Sequence, residues 1–107
     1  MNTAARRKQL YGLMGDLPER NRKITAKVVS TDDSRGYVLE KLVLDLNGLE
    51  PVPAYFVKPK NLSGKAPTVL YHHAHGGDYK LGKDELLNGR GAIHKPPYAE
   101  LLTSMGW

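Results

Sequence analysis

A chain of 107 residues can form at most one domain with a small core. Its composition, 40% hydrophobic and 25% charged residues, excludes a low-complexity or fibrous protein. It has no run of about 18 apolar residues and no apolar stretch near its first residue, so we expect no membrane span, no membrane partner and no signal peptide. It contains no cysteine, which excludes disulfides and Cys-ligated zinc, and we expect a cytoplasmic location.

The net charge of +5 is concentrated near the start of the chain. Residues 1–30 hold seven Lys/Arg and two Asp/Glu, whereas residues 31–107 hold nine of each and are neutral. No aromatic residues are interleaved with the basic ones as a single-strand binder would require. We therefore interpret the basic residues as one solvated helix face and expect no nucleic-acid partner.

The first predicted element is a helix over residues 4–15, where Leu10, Leu13 and Met14 recur at helical spacing, and Pro18 ends it. We accordingly divide the single domain into a basic helical segment, 1–23, and the remainder, 24–107.

Three strands are predicted next. Residues 24–30 are rich in β-branched side chains, residues 37–46 alternate, and residues 52–58 return after Asn47-Gly48, a strong hairpin signal. Pro53 indicates an edge or a bulge. Alternating strands joined by hairpins are typical of antiparallel pairing with one solvated face.

The sequence of the second strand predicts which of its faces is apolar. Leu42, Leu44 and Leu46 share one face, and Lys41 and Asp45 share the other, because side chains in a strand alternate.

After a surface loop over 59–67, the unbroken apolar start of residues 68–73 predicts a strand buried on both faces, as in a parallel sheet. A glycine-rich loop follows. The last predicted element is a helix over 97–105, opened by Pro96 or Pro97 and capped by Gly106. This begins a parallel crossover that no second strand completes, so we expect exposed apolar faces and self-association.

The sequence "YHHAHGGDYKLGKDEL" then allows three hypotheses. In the first, His73 and His75 share a strand face and bind a metal, with His72 or His94 as further candidates. Histidines that anchor a loop by hydrogen bonds are commoner, so our prediction assigns no metal ligand and no cofactor.

The second hypothesis is a phosphate loop, because residues 77–83 fit the pattern G-x-x-x-x-G-K. The next position should be Ser or Thr, whose hydroxyl binds Mg²⁺. Here it is Asp84, whose negative charge would repel phosphate, and the pattern disfavours this hypothesis.

The third hypothesis is an oxyanion loop, in which backbone amides stabilise the negative charge of a tetrahedral intermediate. His75-Gly76-Gly77 follows the predicted buried strand directly. Glycines suit this role because no Cβ obstructs the approach of the substrate oxygen. In α/β-hydrolases, a loop that directly follows a strand of the central sheet uses a similar His-Gly-Gly sequence.

The stretch "PVPAYFVKPKNLSGKAPTVLYHHAHGG" resembles the N-terminal half of α/β-hydrolase esterases of the dienelactone-hydrolase-like kind. "GKDEL" and "YAELLTSMGW" extend the resemblance, which covers roughly residues 35–107. It implies an α/β fold class. The chain would supply the antiparallel front strands, the first parallel strand and a helix of an incomplete α/β-hydrolase sheet.

The resemblance also implies the site residues. Gly76 and Gly77 match the oxyanion loop, the Asp78 amide is a further donor, and His75 matches the residue that braces the loop. The family's nucleophile lies in a G-x-S-x-G motif. The chain has four serines, Ser30, Ser34, Ser63 and Ser104. None of them has a glycine both two residues before and two residues after it, as the motif requires.

The function implied is therefore that of the N-terminal segment of a serine-type ester hydrolase. Its Ser-His-acid triad would lie outside this chain, which alone would be inactive. The completed enzyme would act on a small-molecule ester through an acyl-enzyme. The alternative is a small non-catalytic module that binds an anion or a metal with its His- and Gly-rich loop.

Overall fold

The computed structural model describes residues 2–107. Its helices are α1 (Thr3–Leu13), α2 (Glu85–Asn88) and α3 (Tyr98–Ser104), its strands are β1 (Thr25–Asp32), β2 (Val38–Asp45) and β3 (Pro51–Lys58), and a 3₁₀ turn spans Gly82–Asp84.

Helix α1 confirms the predicted first helix to within two residues at its end. Asn2 caps it, since its side-chain oxygen accepts a hydrogen bond of 2.8 Å from the Ala5 amide. None of its residues is buried, and Leu13 is 80% exposed. The basic side chains of α1 are therefore solvated, as expected, and the helix contributes nothing to the core.

The three predicted strands form one antiparallel sheet in the order β1-β2-β3. Thr25 lies opposite Asp45 in the first pair, and Val38 lies opposite Lys58 in the second. The β1–β2 register shifts between Val28 and Ser30, which is a bulge.

Short polar side chains fix both turns of the sheet. The Asp32 carboxylate accepts hydrogen bonds from the amide and hydroxyl of Ser34 at 2.8 and 2.6 Å. After β2, the Asn47 side chain accepts the Leu49 amide at 2.9 Å, and Gly48 has φ of +74°. The Asn-Gly hairpin is confirmed, but its loop has five residues, because Asp45 pairs with Pro51.

The buried core is small and lies on a different face of β2 from the one predicted. The buried hydrophobic residues are Tyr37, Leu39 and Ala99. Leu39 shares its face with Lys41, whereas Leu46, on the predicted apolar face, is 39% exposed. Helix α3 packs on the β2–β3 surface near the start of β2, so burial follows the position of α3 and not the leucine alternation.

The predicted buried strand over residues 68–73 is wrong. Within residues 2–107 this run pairs with no strand, and Val69 and Leu70 are 47% and 83% exposed. A strand is stabilised by a neighbour that pairs with its backbone groups, and among residues 2–107 no strand lies beside this run. The described sheet is antiparallel throughout, and the α/β fold class stays a prediction.

Helix α3 confirms the predicted last helix, with Pro97 before its first residue. Gly106, at φ of +82°, lets the chain turn back, and the Trp107 amide then donates to the Leu102 carbonyl at 3.0 Å. In the part of the chain that the structure describes, no helix has the length and apolar character to cross a membrane.

Candidate functional site

The His-Gly-Gly sequence forms a tight turn. The Asp78 amide donates to the His75 carbonyl at 2.9 Å, and the two central residues, Gly76 and Gly77, have φ of +47° and +84°. Positive φ at both central positions is the pattern of a type I′ turn. Side chains with a Cβ rarely adopt these angles, so the turn itself requires both glycines.

The guanidinium group of Arg90 lies directly against Gly76. A Cβ built on Gly76 would lie 1.8 Å from Nη2 of Arg90. The same Nη2 donates a hydrogen bond of 2.9 Å to the Gly76 carbonyl. Around Gly77, in contrast, a Cβ would meet no atom within 4 Å. The turn is therefore held on its Gly76 side and open on its Gly77 side.

Glu85, at the start of α2, fixes the other end of the guanidinium group. Its side chain is 3% exposed, and Oε2 accepts a hydrogen bond of 3.1 Å from Nη1 of Arg90, whose side chain is 15% exposed. Oε1 accepts a hydrogen bond from the Tyr71 hydroxyl. Both carboxylate oxygens thus have partners, as a buried charge requires.

These contacts shift the pKa values of the two acidic groups in opposite directions. The Tyr71 hydroxyl, and then the Ala74 backbone and Arg90, lower the pKa of Glu85 below its ordinary value of 4.5. Burial, and then the hydrogen bond to Glu85, raise the pKa of Tyr71 to about 12. At neutral pH the carboxyl is ionised and the phenol is neutral, which is the state that these hydrogen bonds need.

The structure places the four predicted site residues together but gives them different roles. The Asp78 amide closes the turn, and its carboxylate accepts the Lys80 and Leu81 amides at 3.2 and 3.1 Å. Among residues 2–107, the Gly76 and Gly77 amides donate to no acceptor. Two backbone donors of the turn are therefore free, and neither is that of Asp78.

His75 lies in a row of rings on the exposed side of the turn. Its ring centroid is 5.8 Å from that of His73 and 5.9 Å from that of Tyr79. The hydrogen bond that braces the turn comes from Arg90. A bracing role for His75 stays a prediction.

The histidines do not converge on one point. His94 lies away from the row and stacks on Tyr98 at 6.5 Å between ring centroids. Across the described range, no group of three or more His, Asp or Glu side chains is placed to hold a metal ion. The metal hypothesis therefore has two neighbouring imidazoles, His73 and His75, and no third ligand among residues 2–107.

The residues of the phosphate-loop pattern are engaged elsewhere. The Asp84 carboxylate accepts a hydrogen bond of 2.6 Å from the Tyr55 hydroxyl, and Nζ of Lys83 lies 5.1 Å from the centroid of the same ring. The helix after the pattern, α2, has only four residues. Lys83 and Asp84 therefore attach the loop to β3.

An open groove of about 710 Å³ lies beside the turn, between β3, the run 66–71 and α3. His73 and Tyr79 line it, but Gly76 and Gly77 do not. Most of its lining is apolar side chains, including the exposed Leu70. We interpret the groove as an uncovered part of the core, and the turn as the place where chemistry could occur.

Sequence reasoning missed Glu85 and Arg90. The sequence around them gave no signal: Glu85 precedes two leucines, but so does Glu100, which is exposed. The contact itself could not be predicted, since a loop without periodicity separates Gly76 from Arg90.

The chain thus folds into an antiparallel sheet followed by a glycine turn with two free amides. Comparison with known proteins shows one protein of similar sequence. The chain is 47% identical over 104 residues to "Putative hydrolase YtaP" of Bacillus subtilis (strain 168), and the match covers 97% of this chain and 34% of that protein. The chain thus spans about a third of the length of this relative and is similar to a protein named as a hydrolase. No protein-family model matches the chain, and no solved structure matches it.

Proposed function

We propose that the chain is the N-terminal segment of a serine-type ester hydrolase of the α/β-hydrolase class, dienelactone-hydrolase-like, and that it supplies the oxyanion loop. The observation that carries the proposal is the turn at His75–Asp78, in which two glycine amides are free. The similarity to a protein named as a hydrolase supports the reaction class. The substrate is a small ester, and the nucleophile, base and acid come from outside these 107 residues.

The chemistry of the turn supports this assignment. When a serine attacks an ester carbonyl, its oxygen becomes negatively charged, and backbone N–H groups aimed at that position lower the barrier. In the turn, Gly77 carries no side chain, and no atom lies within 4 Å of the place where its Cβ would be, so this side of the turn is open to a substrate. A turn held by a buried ion pair keeps its donors in place before the reaction, which avoids reorganisation during it.

The experiment uses a chimera in which this chain replaces the matching stretch of the Bacillus subtilis relative. The chimera should hydrolyse short-chain p-nitrophenyl esters and become covalently labelled by a serine-directed phosphonate. The isolated chain should do neither. In the chimera, Ser63→Ala and Ser104→Ala should leave ester hydrolysis unchanged, because neither serine is the nucleophile. Gly77→Val should lower kcat by about 10²–10³-fold, the effect of losing one oxyanion donor.

The control is Gly64→Val. Gly64 has φ of +71° and also has nothing within 4 Å of a built Cβ, so the substitution causes similar backbone strain away from the turn. It should change stability like Gly77→Val but leave kcat unchanged. A folded chimera that turns over no ester, or equal kcat losses in the two variants, would contradict the proposal.

The alternative function is metal or anion binding by the isolated chain, and the adjacent His73 and His75 rings favour it. Zinc binding to the chain in calorimetry, lost in His73→Ala, would support it. If a chelator also abolished the activity of the chimera, the metal assignment would replace the oxyanion assignment.

A further inference from the structure

We propose that Arg90, held by Glu85, is a positioning residue that orients the Gly77 amide for oxyanion binding. This inference rests on the proposed ester hydrolase function and deepens it, because it names the side chains that aim the donor.

The argument begins with the geometry of one peptide unit. The Gly76 carbonyl and the Gly77 amide belong to the same planar group, which is trans. In a trans peptide the C=O and N–H bonds point in opposite directions. The guanidinium group of Arg90 holds the carbonyl at 2.9 Å, so it also fixes where the Gly77 N–H points, which is toward the opposite side of the turn.

The charge on Arg90 has a second effect on the same peptide. A hydrogen bond to a carbonyl polarises the peptide and strengthens the hydrogen bond that its N–H donates, by about 10–30%. Because the donor is a guanidinium ion, this polarisation is larger than a neutral donor would give. Arg90 therefore makes the Gly77 amide a better donor as well as orienting it.

Arg90 can perform this role only if its own position is fixed, and Glu85 does that. The two Arg90 nitrogens are divided between Glu85 at 3.1 Å and Gly76 at 2.9 Å. Glu85 in turn accepts the Tyr71 hydroxyl, so residues before the turn, within α2 and after α2 all meet at this carboxylate. An arginine fork fits this arrangement, whereas a lysine ammonium is a single point charge and does not.

Two turn conformations would be available without this contact. A Gly-Gly sequence populates positive and negative φ about equally, so its central peptide can rotate by half a turn. That rotation would exchange the positions of the Gly76 oxygen and the Gly77 N–H. A carbonyl oxygen would then face the developing negative charge, and Arg90 selects the arrangement in which an N–H does.

The test uses Arg90→Ala in the same chimera, with Arg35→Ala as the matched control. Arg35 is an exposed arginine that pairs with Asp32 at 3.4 Å in the turn after β1. Arg90→Ala should lower kcat by about 10²-fold, since small misplacements of catalytic groups have effects of this size, with KM little changed. Millimolar guanidinium ion should restore part of kcat in Arg90→Ala and have no such effect on the control.

A second measurement follows the amide directly in the 107-residue chain. In a ¹⁵N–¹H correlation spectrum, Arg90→Ala should shift the Gly77 amide resonance strongly, and Arg35→Ala should leave it in place. If Arg90→Ala fails to fold, Glu85→Gln serves instead, because it keeps the shape of the side chain and weakens its hold on Arg90. It should lower kcat less than Arg90→Ala would and shift the same resonance.

The outcomes separate this inference from the proposed function. A parent chimera without ester turnover would overturn both. Loss of kcat in Gly77→Val together with unchanged kcat in the folded Arg90 or Glu85 variant would overturn the positioning role alone. An unmoved Gly77 resonance would overturn it as well.

Discussion

Gly76→Ala tests the contact between the turn and Arg90 through stability alone. The substitution has two consequences. Alanine must adopt φ of +47°, and its Cβ would lie 1.8 Å from Nη2 and 2.5 Å from Cζ of Arg90. The guanidinium group is the end of a flexible side chain, so it would swing away and lose its hydrogen bond to the Gly76 carbonyl.

The two costs can be sized separately. Left-handed backbone in a residue with a Cβ costs roughly 1–2 kcal/mol, and a hydrogen bond from a charged group contributes about 1.5–3 kcal/mol. Gly76→Ala should therefore lower the free energy of unfolding by about 2.5–5 kcal/mol, a large part of the ~5–15 kcal/mol of a typical domain. Gly77→Ala, at φ of +84° with open space around its Cβ, should lose only the backbone cost of about 1–2 kcal/mol.

The assay is urea unfolding followed by far-ultraviolet circular dichroism, at protein concentrations where the midpoint is constant. A double-mutant cycle isolates the contact, because in an Arg90→Met background Gly76→Ala should cost no more than Gly77→Ala. Equal losses for the two single glycine variants would refute the reasoning, as would a Gly76→Ala cost unchanged by Arg90→Met.

Three further predictions follow from the core, from the buried carboxyl and from the exposed apolar surface. Leu39→Ala, at a side chain 2% exposed, should lower the free energy of unfolding by about 2–5 kcal/mol in urea titration. The same change at Leu49, which is 87% exposed, should have little effect, and similar losses at both would be inconsistent with the core described here. The pKa of Glu85 is lowered on folding, so its contribution to stability is present above pH 4.5 and is lost as the pH falls through the folded pKa. The free energies of unfolding of Glu85→Gln and the parent should therefore converge in acid. Curves of unfolding free energy against pH that stay parallel would contradict this. The chain should self-associate through its exposed apolar surface, and Leu70→Lys, at 83% exposure, should shift sedimentation toward monomer, so a monodisperse parent would refute this.

The sequence by itself determined the local elements of this protein. The antiparallel hairpins follow from alternation, from Asn47-Gly48 and from short polar turn residues, all of which act within a few positions. Helix α3 follows from its proline start and glycine end for the same reason. The glycine turn also lay in the sequence, because Gly76 and Gly77 permit backbone angles that other residues avoid.

The tertiary structure alone decided which of these elements meet. The run 68–73 has the composition of a buried strand, yet Leu70 is exposed, because among residues 2–107 no strand pairs with the run. Arg90 and Glu85 would be assigned to solvent by composition, yet Glu85 is buried and Arg90 is largely covered, because they pair with each other and Arg90 also donates to the Gly76 carbonyl. The contacts among Gly76, Glu85 and Arg90 leave no local sequence pattern, since they depend on where α2 places Glu85 relative to the turn.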